Sequence, residues 1–257
     1  MSRATSSPAA REMAIPGTHD AVMRVFSKVC APAGLDVLDL GAGEGALSVR
    51  LAAEGAAVTA CDVDTGRFAA EGVECRRCEP GLPLPFEDGS FDAVLAVEVA
   101  EHVDGHDAFF AEAARVLRPG GLLLFTTPNI LSLKSRLRFL LSGFFYSFGP
   151  LEPGVRDAAS QHISPFTLNR YEWLLSCHGL ELEAVETDKH QTGSLLLCFL
   201  VPLIRLFSRL RFGSSAEVRR QNCRAALLGR KLIIVARKKG RASLPSVEGS
   251  GGGPALP

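Results

Sequence analysis

Two hydrophobic rhythms alternate along the first half of the chain. In 18–30 the apolar residues Val22, Val25, Phe26 and Val29 recur three and four apart, which predicts a helix with one buried face. A short, nearly continuous apolar run at 35–40 predicts a buried strand. A helix follows at 45–54, closed by Gly55, and a second strand at 57–62. A short helix and a third strand near 73–78 come next, then a fourth strand at 91–97 and a helix at 107–117. After the turn Arg118-Pro119-Gly120, a fifth strand runs over 121–127. Such alternation predicts an α/β fold with a Rossmann-like, mostly parallel sheet, helices on both faces and right-handed crossovers.

The rhythm breaks at Thr127-Pro128-Asn129, at the carboxyl edge where ligands bind in sheets of this kind. An apolar, aromatic stretch follows (ILSLKSRLRFLLSGFFYSF), then a Gly/Pro-rich loop reaching 160. A helix at 167–177 and a strand at 180–186 restore order, and a second apolar insert, GSLLLCFLVPLIRLFSRLRF, covers 193–212. Its longest uncharged run, 190–204, has 15 residues (histidine counted neutral) and contains Pro202. A spanning helix needs about 20, so this segment is too short to cross a bilayer. Arginines interleaved with Leu and Phe from 205 onward have the makeup of an interfacial helix. The stretch GRKLIIVARKK supplies a last strand. Residues 1–16 and 241–257 are low in complexity and are expected to be disordered, leaving one domain at 17–240 with inserts near 129–160 and 189–225. The first 16 residues have no apolar core of the kind a signal peptide needs.

Charge sharpens this picture. The formal net charge of zero hides an asymmetry: residues 1–204 carry 16 basic and 26 acidic residues, while 205–241 carry 12 and 1. A basic block directly after an apolar run points to an anionic surface as partner, membrane or nucleic acid. The seven scattered cysteines suit reduced thiols in the cytoplasm. Cys75 and Cys78 form a lone CxxC, which reads as a zinc half-site or as two ordinary strand-end cysteines.

The chemistry concentrates in VLDLGAGEGAL, 37–47. Gly41-Ala42-Gly43-Glu44-Gly45-Ala46 formally fits a dinucleotide fingerprint, with Asp62 about 20 residues on to take ribose hydroxyls. Glu44 and Asp39, however, set carboxylates where a pyrophosphate wants positive dipoles. A cationic ligand without phosphate, such as S-adenosylmethionine (SAM), suits the loop better, and the glycines let backbone approach it closely.

Four stretches in order, VLDLGAGEG, VTACDVD, LPFEDGSFDAVLAVEVAEHV and RVLRPGGLLLFTTPN, resemble the class I SAM-dependent methyltransferases over roughly 35–190. The resemblance implies a seven-stranded sheet with the last strand antiparallel. It implies that Asp39, Gly41, Ala42, Gly43 and Gly45 hold the methionine end of SAM, that Asp62 with Val63 holds the ribose, and that Glu79 faces the adenine. Pro80 and Gly81 crowd that last turn. On the acceptor side, Glu98, Glu101 and His102 follow the fourth strand, and His162 returns after the first insert. Such Glu/Glu/His sets resemble those of the ubiquinone-biosynthesis O-methyltransferases and the small-RNA 2′-O-methyltransferases. There they surround a divalent cation such as Mg²⁺, with Glu98, Glu101, His102 and His162 as the ligand set here. The same Glu-His pair also occurs in family members without metal, where the acid orients SAM and the histidine packs or acts as base; the resemblance then implies Glu98 on the cofactor and Glu101, His102 and His162 as catalytic residues. His106 and His178 fall on helix positions expected to be exposed.

The function that follows is O-methylation of an apolar or lipid-linked small molecule by a cytoplasmic enzyme peripheral to the inner face of the membrane. Two competitors stand beside it. One is an RNA 2′-O-methyltransferase, against which the basic block is interleaved with Leu, Ile and Phe and no RNA-binding module is present. The other is a SAM-fold binding protein without catalysis, against which the glycine loop and Asp62 are intact.

Overall fold

A computed structural model of the protein describes residues 10–155 and 161–240. The tails expected to be disordered lie outside them at 1–9 and 241–257. The order is α1 (Thr18–Val29), β1 (Asp36–Leu40), α2 (Ala46–Ala53), β2 (Ala57–Asp62), β3 (Glu74–Arg77), β4 (Phe91–Ala96), α3 (His106–Val116) and β5 (Leu117–Pro128). Then come α4 (Leu133–Ser142), α5 (Leu168–Cys177), β6 (Leu180–Thr187), α6 (Thr192–Leu196), α7 (Val201–Phe212), α8 (Ala216–Gln221), α9 (Arg224–Leu228) and β7 (Lys231–Lys238). The seven strands form one sheet in the order β3-β2-β1-β4-β5-β7-β6. The first five are parallel, and β7 inserts antiparallel between β5 and β6.

The core splits between the two faces of the sheet. On one, α1 and α2 lay Val22, Phe26, Leu47 and Leu51 against Val37, Leu95 and Ile233. On the other, α3 and α5 close Phe109, Phe110 and Tyr171 over Phe125 and Ile234. Each fully buried side chain of this size contributes on the order of 2–3 kcal/mol, which is what fixes the strand ends that carry the site. β5 starts earlier than the pattern predicts, because Leu117 already pairs with Phe91 of β4.

Several local expectations change. Residues 10–16 are not separate from the domain: the Arg11 backbone N–H donates to Glu44 at 3.0 Å, and Met13 lies over Gly43. His106 is buried, 3% exposed, with its ring 4.3 Å from that of Phe166, because α5 packs across the start of α3. His178 is half-buried and bonded to Asp107 at 2.9 Å. The CxxC does not act as a unit. Cys78 is disulfide-bonded to Cys61 across β2 and β3, with Cα atoms 5.7 Å apart, while Cys75 stays a thiol whose pKa burial pushes up to about 11.

Both inserts emerge at the carboxyl edge. Asn129, fully buried, ties the first one down: its Nδ2 donates to the carbonyls of Ala226 and Gly229, both at 2.9 Å, and its Oδ1 accepts from Leu131 N–H at 2.9 Å. The inserts meet where Lys134 N–H donates to Ser194 Oγ at 3.2 Å. α7 buries none of its residues, and Leu140, Leu141, Phe207 and Leu210 are 79, 77, 66 and 77% exposed. Part of the basic block is paired within the fold: Arg230 with Asp188 and Lys231 with Glu98, both inward, and Arg237 with Glu183 at the surface.

Candidate functional site

Asp39, 2% exposed, is the penultimate residue of β1, and the chain then turns through three glycines in the left-handed region, with φ of 78°, 57° and 90° at Gly41, Gly43 and Gly45. A Cβ on Gly41 would lie 2.4 Å from Val99 Cγ2, and one on Gly45 2.6 Å from Ala70 Cβ. Both conformation and space therefore require glycine there. Ser48, on the first turn of α2, donates to Asp39 Oδ2 at 2.6 Å. Burial, with the Asp62 charge adding, raises the Asp39 pKa from 3.8 to about 6 despite that bond. Asp62 ends β2 and reaches back: its carboxylate accepts from Gly43 N–H at 2.8 Å and from Asp64 N–H at 2.9 Å. Asp39, Asp62 and the glycines thus form one rim. Val63 follows on it, 44% exposed, and Glu79 lies exposed just past β3.

One strand further along, β4 ends before a second group. Glu101 is fully buried and neither carboxylate oxygen has a hydrogen-bond partner among the described residues. Burial first, and the Glu98 charge second, hold its pKa well above the usual carboxylate range. His102 Nδ1 bonds the Gln161 carbonyl at 2.9 Å, and His162 Nδ1 the Ser147 carbonyl at 2.8 Å. A carbonyl only accepts, so each Nδ1 carries a proton. The two rings are 4.9 Å apart. The His162 pKa is lowered, chiefly by burial and then by His102. Ligand atoms of Glu101, His102 and His162 all lie within 4.8 Å of one another.

Glu98, the fourth member expected from the sequence, stands apart from this group. Its Oε2 takes the Lys231 ammonium and its Oε1 accepts from Thr126 Oγ at 3.1 Å. The structure therefore brings together three of the four residues read as metal ligands. Sequence reasoning missed Lys231, Thr126 and Ser48. The signal for Lys231 was a lysine opening an otherwise apolar strand.

Residues 38–125 match the family model described as "Methyltransferase domain". The chain is similar to a demethylmenaquinone methyltransferase of Tropheryma whipplei (strain Twist), with 41% identity over 98 residues, 36% of this chain and 41% of that one. It is also similar to a ubiquinone biosynthesis O-methyltransferase of Burkholderia orbicola, with 32% identity over 164 residues, 60% and 68% of the two chains. It spans about two fifths of the first relative and two thirds of the second. Among solved structures, the 1,6-didemethyltoxoflavin-N1-methyltransferase of Burkholderia thailandensis, with bound 1,6-didemethyltoxoflavin and S-adenosylhomocysteine, superposes with a TM-score of 0.53 at 16% identity. That match covers 87% of this chain and 79% of that one, and it is a likeness of fold.

Proposed function

The chain belongs to the SAM-dependent methyltransferase family, and from that premise we propose that it methylates an oxygen of an apolar or lipid-linked acceptor at a membrane surface. The observation that carries the reading is the pairing of two sites on one sheet edge. The Asp39–glycine–Asp62 rim suits a phosphate-free cationic nucleoside, and the Glu101–His102–His162 group follows the neighbouring strand β4, whose Val99 abuts Gly41. Names of relatives that concern ubiquinone biosynthesis and demethylmenaquinone favour a quinone-type ring as the acceptor class.

In this reading the acceptor hydroxyl oxygen attacks the sulfonium methyl carbon in line. The carbon–sulfur bond breaks, sulfur leaves as the neutral thioether, and the hydroxyl proton passes to a histidine Nε2. His162 fits the role of base because its lowered pKa keeps it neutral at pH 7. Buried Glu101, with both oxygens unpartnered among the described residues, together with the two imidazoles, also fits a divalent cation. Glu101, His102 and His162 would hold it, and it would lower the pKa of the acceptor hydroxyl.

The membrane part rests on α4 and α7, whose outward faces are apolar and flanked by Arg138, Arg209 and Arg211. No helix among the described residues is long and apolar enough to cross a membrane. Arginines at the headgroups contribute about 1 kcal/mol each near an anionic leaflet, screened by salt. Flotation with anionic liposomes tests it. Wild type rises with the vesicles at low salt, and a Leu140/Leu141/Phe207/Leu210→Ser variant stays below. These side chains are solvent-exposed, so the variant keeps its core. Equal flotation of the two proteins, or none by wild type, refutes membrane docking. Incubation with methyl-labelled SAM and lipid extract, followed by mass spectrometry, tests the acceptor.

A further inference from the structure

The spacing Glu98-x-x-Glu101-His102 with a later His162 suggests four converging donors, yet the fold diverts one of them. Lys231 is on β7, in register with Pro128 at the end of β5, and its side chain is only 4% exposed. Neighbouring Asp188 is taken by the Arg230 guanidinium, with Nε at 2.6 Å, and meets Lys231 only through its backbone N–H at 3.2 Å. Glu98 is the carboxylate that pairs with the Lys231 side chain. Both Glu98 oxygens are thereby committed, one to Lys231 and one to the Thr126 hydroxyl, which in turn accepts from the Glu98 backbone N–H at 2.9 Å. Glu98 also has φ of +60°, a left-handed conformation that a residue with a side chain adopts only when its surroundings enforce it. In that conformation Glu98 is bonded by Thr126 from β5 and by Lys231 from β7.

We propose that Lys231 is a built-in cation of the acceptor site: a positioning residue that withdraws Glu98 from the Glu101–His102–His162 group, so that Glu98 is not a metal ligand in this protein. The ammonium takes the place beside Glu98 that a divalent ion would need, and like charges oppose the entry of one there. Its field extends across the site, lowering the pKa of both Glu101 and His162 among their smaller influences. The inference rests on the proposed site, but neither on its acceptor nor on SAM.

Titration of the full chain with Mn²⁺, read by the electron paramagnetic resonance signal of the free ion, separates the two without any methylation assay. Glu98→Gln in the wild-type background should change Mn²⁺ affinity less than threefold. Lys231→Met frees Glu98 to complete a four-donor set and should bind Mn²⁺ about tenfold tighter than wild type. The Lys231→Met/Glu98→Gln double variant should lose that gain. The proposal is overturned by a loss of threefold or more in Glu98→Gln, by a gain under threefold in Lys231→Met, or by a gain that survives in the double variant. If Lys231→Met does not fold, as judged by its circular dichroism melt, the Glu98→Gln arm decides alone.

Discussion

Asp39 offers the sharpest test of how the cofactor rim is built. Its carboxyl is fully buried, it accepts from the Ser48 hydroxyl at 2.6 Å, and its pKa rises from 3.8 to about 6. Below pH 3.8 the carboxyl is protonated in both folded and unfolded chains, and it adds nothing. As pH climbs toward 6 the unfolded chain gives up its proton while the folded one keeps it, so stability falls. Above 6 the loss is complete, about 3 kcal/mol at 1.36 kcal/mol per pKa unit. Asp39→Asn keeps the shape and the bond to Ser48 but removes the charge. It should therefore be more stable than wild type, by about 1 kcal/mol at pH 4.5 and about 3 kcal/mol at pH 7.5. For a chain of this size the latter is roughly 6–12 °C in Tm. The same change should weaken SAM binding by about tenfold or more, the loss of a charge-assisted contact to the methionine ammonium. Thermal melts of both proteins without ligand, at the two pH values, measure the first part, and calorimetric SAM titration measures the second. Groups away from Asp39 titrate alike in both proteins, so the difference reports Asp39 and the neighbours coupled to it. An Asp39→Asn protein less stable than wild type at the higher pH, or a gap that does not widen with pH, refutes the reasoning.

Two further outcomes follow from named contacts. Asp62→Ala removes the carboxylate that accepts from Gly43 and Asp64, and should raise the SAM Kd by roughly 5- to 150-fold, about 1–3 kcal/mol, in calorimetry. Tight NAD binding by wild type would instead restore the dinucleotide reading. Asn129→Ala leaves the carbonyls of Ala226 and Gly229 and the Leu131 N–H buried without their partner, and should lower unfolding free energy by about 2–4 kcal/mol in urea at unchanged m-value.

The convergence of Asp39, the glycines and Asp62 on one rim was legible because it is local. The glycines, Asp39 and the Ser48 helix start lie within ten residues, and Asp62 is one strand–helix–strand unit away. The strand-by-strand alternation also places the carboxyl edge without reference to long-range packing. The acceptor half depends on contacts that no local pattern encodes. Glu98 and Lys231 are 133 residues apart, and they meet because β7 inserts beside β5. The helix pattern around His106 reads as exposed because it says nothing of Phe166 and Tyr171, which arrive with α5. The Cys61–Cys78 bond joins adjacent strands at their ends, where the spacing of Cys75 and Cys78 suggested a different pair.

The place of β7 in the sheet has a consequence for how the molecule is made. β7 is the last strand in sequence, yet it fills an interior position, and β6 has no other neighbour in the sheet. While a nascent chain lacks 231–238, the long apolar edge of β5 stays open and β6 has nothing to join. β1 to β4, with the glycine loop between β1 and α2, can assemble early, whereas the Glu98–Lys231 pair waits for the final strand to thread between two already synthesised ones. An open, buried-type edge is a template for pairing with other chains. Synthesis that pauses before residue 231 should therefore expose the molecule to aggregation, and a chain cut there would keep its glycine loop while losing Lys231 and the strand that seals β5.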